Sequence, residues 1–168
     1  IRDHDYITDL LEKNNINYKY SSRYTTSAGQ VLFNSKRIIS QVYGRDFKND
    51  TDFISSLQFT KGGPENLSDP NAIILNEDVA KNLNIDIGDS LLYTTTTIYG
   101  QNNVGEFTLA ATIKGTSLLS SSIAYAPIET VNNLVGMNDD GYTVYTLFLP
   151  NKKKQTAVAM QIENLIRA

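Results

Sequence analysis

The chain has no cysteine, one histidine, and no apolar run close to the length of a membrane span. Without cysteine there are no disulfides, no thiolate metal sites and no cysteine nucleophile. The compartment stays open, because a chain of 168 residues can bury a sufficient core without cross-links. A span needs roughly 20 apolar residues, and none is found; nor does a charged-then-apolar leader open the chain. Charge of one sign is also scarce: 15 Lys and Arg face 18 Asp and Glu, a net charge of -3 at pH 7. No basic face is expected from this balance, which argues against nucleic acid as a partner.

Catalytic groups are equally thin. His4 lies between Asp3 and Asp5, but neighbours on a helix point in different directions, so the three do not converge on a metal. The reading is a solvated histidine. A nucleophile among Ser117, Ser120, Ser121 and Ser122 needs a base held by an orienting group, and the only histidine falls in a different expected lobe. The glycines at 62–63 and 100–105 lack the Lys-Ser/Thr of a phosphate loop. Asp86, Asp89, Asp139 and Asp140 lack the alternation of a calcium loop. No catalytic residue, metal ligand or cofactor site is expected.

A hydrophobic fraction of 40% with 10% aromatics describes a folded domain. Ile7, Leu10 and Leu11 share a helical face between Asp3 and Asn14. From Asn17 the period becomes two, with Tyr18, Tyr20 and Tyr24 on one side of a strand and Lys19 and Arg23 on the other. Those tyrosines are a candidate recognition surface, since each ring combines apolar area with a polar tip; one half-buried strand face is the plainer reading. Gly29 marks a bend, and Gln30 to Tyr43 is read as a second strand pairing back on the first. Asp50 or Thr51 caps a short helix, and Lys61-Gly62-Gly63-Pro64 is the clearest break.

Ala72 to Leu75 reads as a buried strand, and Val79, Ala80 and Leu83 as the inner face of a short helix. Gly88 supplies the positive φ of a tight turn, and Asp89 can bond back to nearby backbone N–H groups. Ser90 to Tyr99 and the stretch through Phe107, Leu109, Ala111 and Ile113 follow as strands. Pro127 lets strand 122–126 exit into a helix that Gly136 ends. Tyr142 to Leu149 is a strand, and Asn151 caps a last helix whose apolar face is Val158, Ile162 and Leu165. Lys152, Lys153 and Lys154 are read as a solvated face. The start at Ile1 and the stop at Ala168 within a running helix suggest an excised piece of a larger protein.

The helix–strand–strand beginning and the strand–helix ending are complementary halves that need each other, because two strands are marginal alone. The expected fold is α+β: a discontinuous α/β lobe of residues 1–58 plus 140–168, and an inserted β-rich lobe of residues 59–139.

Three segments carry a resemblance. The first is Asn71 to Leu91, an apolar strand, an Ala-Lys-Asn-Leu helix and an Ile-Gly-Asp turn. The second is the strand leaving at Ile113-Lys114-Gly115. The third is Ser121 to Gly136, a strand, Pro127 and a helix. In this order, over about 100 residues, they resemble the extracytoplasmic core domain of bacterial ABC permeases of the MacB and lipoprotein-releasing (LolC/LolE), FtsX-like type. The resemblance implies a porter-like lobe with a sabre-like insertion, and Gly88, Asp89, Gly115, Pro127 and Gly136 as scaffold residues. It implies a non-enzymatic domain outside a bacterial inner membrane, joined to its own spans and to a separate ABC ATPase. A lipoprotein, peptide or accessory protein would be its partner, in lipoprotein release or efflux, and the full transporter would be a dimer. Ile1 and Ala168 would then lie on one face. The competing reading is a soluble peptide- or lipid-binding module attached to no transporter.

Overall fold

The computed structural model describes residues 4–115 and 122–167. In chain order these form α1 (His4–Lys13), β1 (Tyr20–Phe33), β2 (Lys36–Arg45), α2 (Thr51–Ser56), β3 (Phe59–Gly62), β4 (Ala72–Asn76) and α3 (Glu77–Leu83). They continue with β5 (Ser90–Thr96), β6 (Asn102–Ile113), β7 (Ile123–Pro127), α4 (Ile128–Val135), β8 (Val144–Phe148) and α5 (Gln155–Arg167). The protein is thus a mixed helix-and-sheet fold.

All eight strands belong to one sheet. The order β2-β7-β4-β6-β5-β1 returns to its start, because β1 also pairs with β2 over ten residue pairs. Six strands therefore close into a ring, with β8 attached to the first residues of β1 and β3 to the end of β6. Alternate residues on each ring strand point to one cluster: Val31, Val42, Ile73, Tyr93, Phe107 and Ala124 are all fully buried there. Val79, Ala80 and Leu83 of α3 and Val131 and Leu134 of α4 join the same cluster, so both helices pack on the inner side of the ring. The rings of Tyr93 and Phe107 meet edge to face at 6.4 Å, and each buries on the order of 150–250 Å². A smaller cluster lies on the outer side of β4 and β6, where Ile74, Ala110, Ala111 and Ile113 are covered by Phe59, Ile54, Leu57 and Leu67.

Several polar groups inside are matched. The Tyr93 hydroxyl donates to the Ser27 carbonyl at 2.9 Å, and Ser27 Oγ lies 2.8 Å from Thr95 Oγ1. Asn132 of α4 is fully buried; its Oδ1 accepts from Thr25 Oγ1 at 2.5 Å and its Nδ2 donates to the carbonyls of Gly141 and Asp139. One side chain thus pins α4 to β1 and to the loop before β8.

Several local expectations shift. β1 runs unbroken through Gly29, and the chain turns instead at Asn34 and Ser35, both at positive φ. Gly29 is required by crowding: a Cβ there would stand 2.0 Å from the Thr94 carbonyl oxygen and 2.8 Å from the Tyr93 ring. The 97–101 segment makes the turn between β5 and β6, with Thr97 N bonded to Gln101 O at 2.7 Å, so residues 102–105 already belong to β6. Asn151 caps a 3-10 turn at Lys152–Lys154, and α5 begins only after it. β1 and β2 also pair with β5 and β7, so strand pairing crosses the line expected between residues 58 and 59.

Candidate interaction surfaces

Among the described residues there is no group of three His, Asp or Glu able to hold a metal. Ser117, Ser120 and Ser121 lie outside the described residues, as do the His4 side chain and both chain ends, Ile1 and Ala168. Ser122 is exposed, and its carbonyl accepts from Ser40 Oγ at 2.8 Å. No helix is long and apolar enough to cross a membrane, among the described residues.

The residues expected as scaffold lie at or beside the ends of elements. Gly88 has φ +92 in the turn before β5, and Asp89 Oδ2 accepts from Asp86 N at 2.9 Å. The turn is sewn to β6 by Gly88 N to Leu109 O and Leu109 N to Asp89 O. Gly115 follows β6, where Lys114 N bonds to Gln58 O. Pro127 ends β7 and stands as the N-cap of α4, and Gly136 closes that helix at φ +77.

The three tyrosines separate. Tyr18 precedes β1 and is half-buried. Tyr20 opens β1, is exposed, and stacks on Phe148 of β8 at 4.1 Å. Tyr24 stacks on Tyr43 at 5.5 Å and lies beneath the Arg45 guanidinium. Arg45 is also 4.1 Å from the Phe53 ring centroid and pairs with Asp50 at 2.6 Å, both side chains nearly buried. The Asp50 carboxylate accepts from Ser22 Oγ and from Phe53 N, so it joins β1, the end of β2 and the start of α2. A cavity of about 210 Å³ beside it is lined by Tyr20, Arg23, Asp46, Asp52 and Tyr145.

A second surface had no sequence motif to announce it. Where β2, β1, β5 and β6 lie side by side, their outward residues form an uncovered wall. One row across the strands reads Ile39, Gln30, Thr94, Val104; the next reads Arg37, Leu32, Leu92, Glu106. One step the other way, Gln41 faces Ala28, and Thr96 faces Asn102. Ile39 is 75% exposed, Val104 55% and Leu92 45%. Arg37 and Glu106 are the only charges in these rows. Arg37 has no ion-pair partner among the described residues, whereas Glu106 accepts from Ser90 Oγ. The usable signal is the period of two in both hairpins, which sets Ile39, Leu32, Leu92 and Val104 opposite the core positions. At the β5–β6 turn, Ile98 and Tyr99 are also exposed, held by Ile98 N to Val135 O.

No known family's sequence model matches the chain, and no curated protein matches it by sequence. Its fold, however, is shared. The extracellular domain of the noncanonic ABC-type transporter YknZ from Gram-positive bacteria superposes with a TM-score of 0.66 at 15% identity, over 98% of this chain and 81% of that one. The periplasmic region of MacB from Actinobacillus actinomycetemcomitans gives 0.59 at 16% identity, over 96% and 72%. A domain of a protein classed as a permease from Porphyromonas gingivalis gives 0.52 at 12% identity, over 93% and 68%. The fold that the sequence resemblance implied, that of the extracytoplasmic domains of MacB-type ABC permeases, is the fold found.

Proposed function

We propose that this chain is the extracytoplasmic domain of a bacterial ABC transporter permease, non-enzymatic itself, which couples ATP-driven motion of its membrane spans to export or lipoprotein release. The observation that carries this is the likeness to the YknZ extracellular domain over nearly the whole chain. A separate ATPase subunit or domain would hydrolyse ATP, and the partner outside would be a lipoprotein, peptide or accessory protein.

Within this reading the chain has a small part next to the spans and a larger part beyond it. The small part is α1, the first residues of β1, β8 and α5; the larger part is the closed ring with its helices. The pairing of β1 and β2 with β5 and β7 supports a boundary near Tyr24, inside β1, in place of one between residues 58 and 59. Asp50 and Arg45 stand at that crossing. Of the three candidate tyrosines, Tyr20 is the one open to a partner.

The mechanical role has a direct test in the full-length transporter. Thr26 and Thr143 approach within 3.3 Å across the boundary, so T26C with T143C can form a disulfide in a domain that has no other cysteine. Oxidation should stop transport-coupled ATP turnover, and reduction should restore it. A cross-linked transporter that cycles at the normal rate would remove the proposal of relative movement.

A further inference from the structure

Asn76, the last residue of β4, is 1% exposed and carries a side-chain donor with nothing to bond. Its Oδ1 accepts from Asp78 N at 2.9 Å and so caps α3. That bond fixes which way the amide is turned and leaves Nδ2 on the far side, without a partner. A buried donor left unpaired loses its hydration for nothing, so its presence asks for a physical reason. The period of two puts Asn76 on the same side of β4 as Ile74, which belongs to the outer cluster. A cavity of about 220 Å³ lies there, walled by Asn76, Phe53, Leu57, Ile113 and Tyr125 and bordered by the exposed Gln58 and Lys114. Among the described residues no carboxylate lines it, so an incoming oxygen atom meets no like charge.

The walls decide what fits. A trapped water needs roughly two to four polar partners, and among the described lining residues Nδ2 is the one buried side-chain atom left unpaired. A carbonyl oxygen needs only that donor, and the group attached to it can lie against Phe53, Leu57 and Ile113. The volume is adequate, since a cavity of roughly 150 Å³ accepts a benzene-sized guest. We infer that this cavity binds a branched aliphatic residue of an extended peptide, the side chain filling the apolar space and the residue's carbonyl accepting from Asn76 Nδ2. Nδ2 is closed to solvent, so entry requires a small displacement of the Leu57 end of α2, a six-residue helix with no fully buried residue. The site belongs to the folded chain and stands whether or not the chain serves a transporter, so its failure and the failure of that reading are separate results.

Titration of the chain with N-acetyl-leucine N-methylamide, followed by NMR, tests it. Saturable shifts are expected at the Asn76 side-chain amide and at the Leu57 and Ile113 methyl groups, with a Kd on the order of a millimolar for so small a ligand. The glycine analogue lacks the apolar side chain and should bind at least about tenfold more weakly. Asn76→Asp keeps an oxygen for the α3 cap, so the fold stands, but it removes the donor and should weaken binding about fivefold or more. Leu57→Phe, at a half-buried position, narrows the cavity and should weaken binding with Asn76 intact. The absence of any saturable shift overturns the inference, as does equal affinity for the leucine and glycine probes. So does N76D or L57F binding as tightly as the parent, or a water on Asn76 Nδ2 that the leucine probe does not displace.

Discussion

Asp50 offers the sharpest test of how the structure is held together. Its carboxylate is nearly buried and performs three tasks: it pairs with Arg45, accepts from Ser22 Oγ and caps α2 through Phe53 N. Replacement by alanine strands the Arg45 guanidinium among aromatic rings, where its Nε already lacks a partner. Removing one partner of a buried ion pair costs about 3–5 kcal/mol, and a lost cap adds about 1 kcal/mol. Because the terms share one side chain, Asp50→Ala should cost roughly 4 kcal/mol, or about 8–16 °C in Tm for a domain of this size. Asp50→Asn keeps an oxygen for the cap and for one Arg45 N–H, and should recover part of that loss. Removing both charges in R45M/D50A should be milder than D50A alone, because no charge is then left unpaired. Urea unfolding of the four proteins measures these differences. If D50A, D50N and the double variant all fall within about 0.5 kcal/mol of the parent, the pair is effectively solvated and the reasoning fails.

Other outcomes follow from the same contacts. Gly29→Ala should disrupt the β1–β5 pairing and cost several kcal/mol, about 3 or more, by chemical denaturation, since its Cβ meets backbone as well as ring. Gly136→Ala should cost only about 1 kcal/mol, the strain of a left-handed cap. Asn132→Ala orphans the Thr25 hydroxyl and two carbonyls and should cost about 2–4 kcal/mol. Burial pushes the phenols of Tyr93 and Tyr125 above the ordinary tyrosine range. The folded state keeps those protons where the unfolded chain has lost them, so their contribution is complete below pH ~10 and falls as pH rises through the folded pKa values. Absorbance at alkaline pH should show these two tyrosines ionising late, together with unfolding.

Much of the fold was legible because local signals agreed with the structure. The cap at Asp50, the Gly88-Asp89 reversal and the helix end at Gly136 each need only a few neighbouring residues. Closure of the sheet was not legible, because it depends on pairings between residues far apart, β1 with β5 and β2 with β7. The same cause misplaced Gly29: a glycine in a strand can mark a bend or a close approach, and only the partner strand decides. The exposed residues on the outer side of the sheet were hidden for a related reason, since which of them lie side by side is known only once the strands are in register. The tyrosines show the limit of periodicity, for Tyr18 precedes the strand that holds Tyr20 and Tyr24.

The most direct test of the account is the side of the membrane on which this domain lies. The chain has no cysteine, so Tyr99→Cys at the exposed β5–β6 turn gives one defined thiol in this domain of the full-length protein. A membrane-impermeant maleimide applied to cells (with the outer membrane opened where one exists) should label that thiol while the inner membrane is intact. Labelling that appears only after the inner membrane is breached would contradict the account.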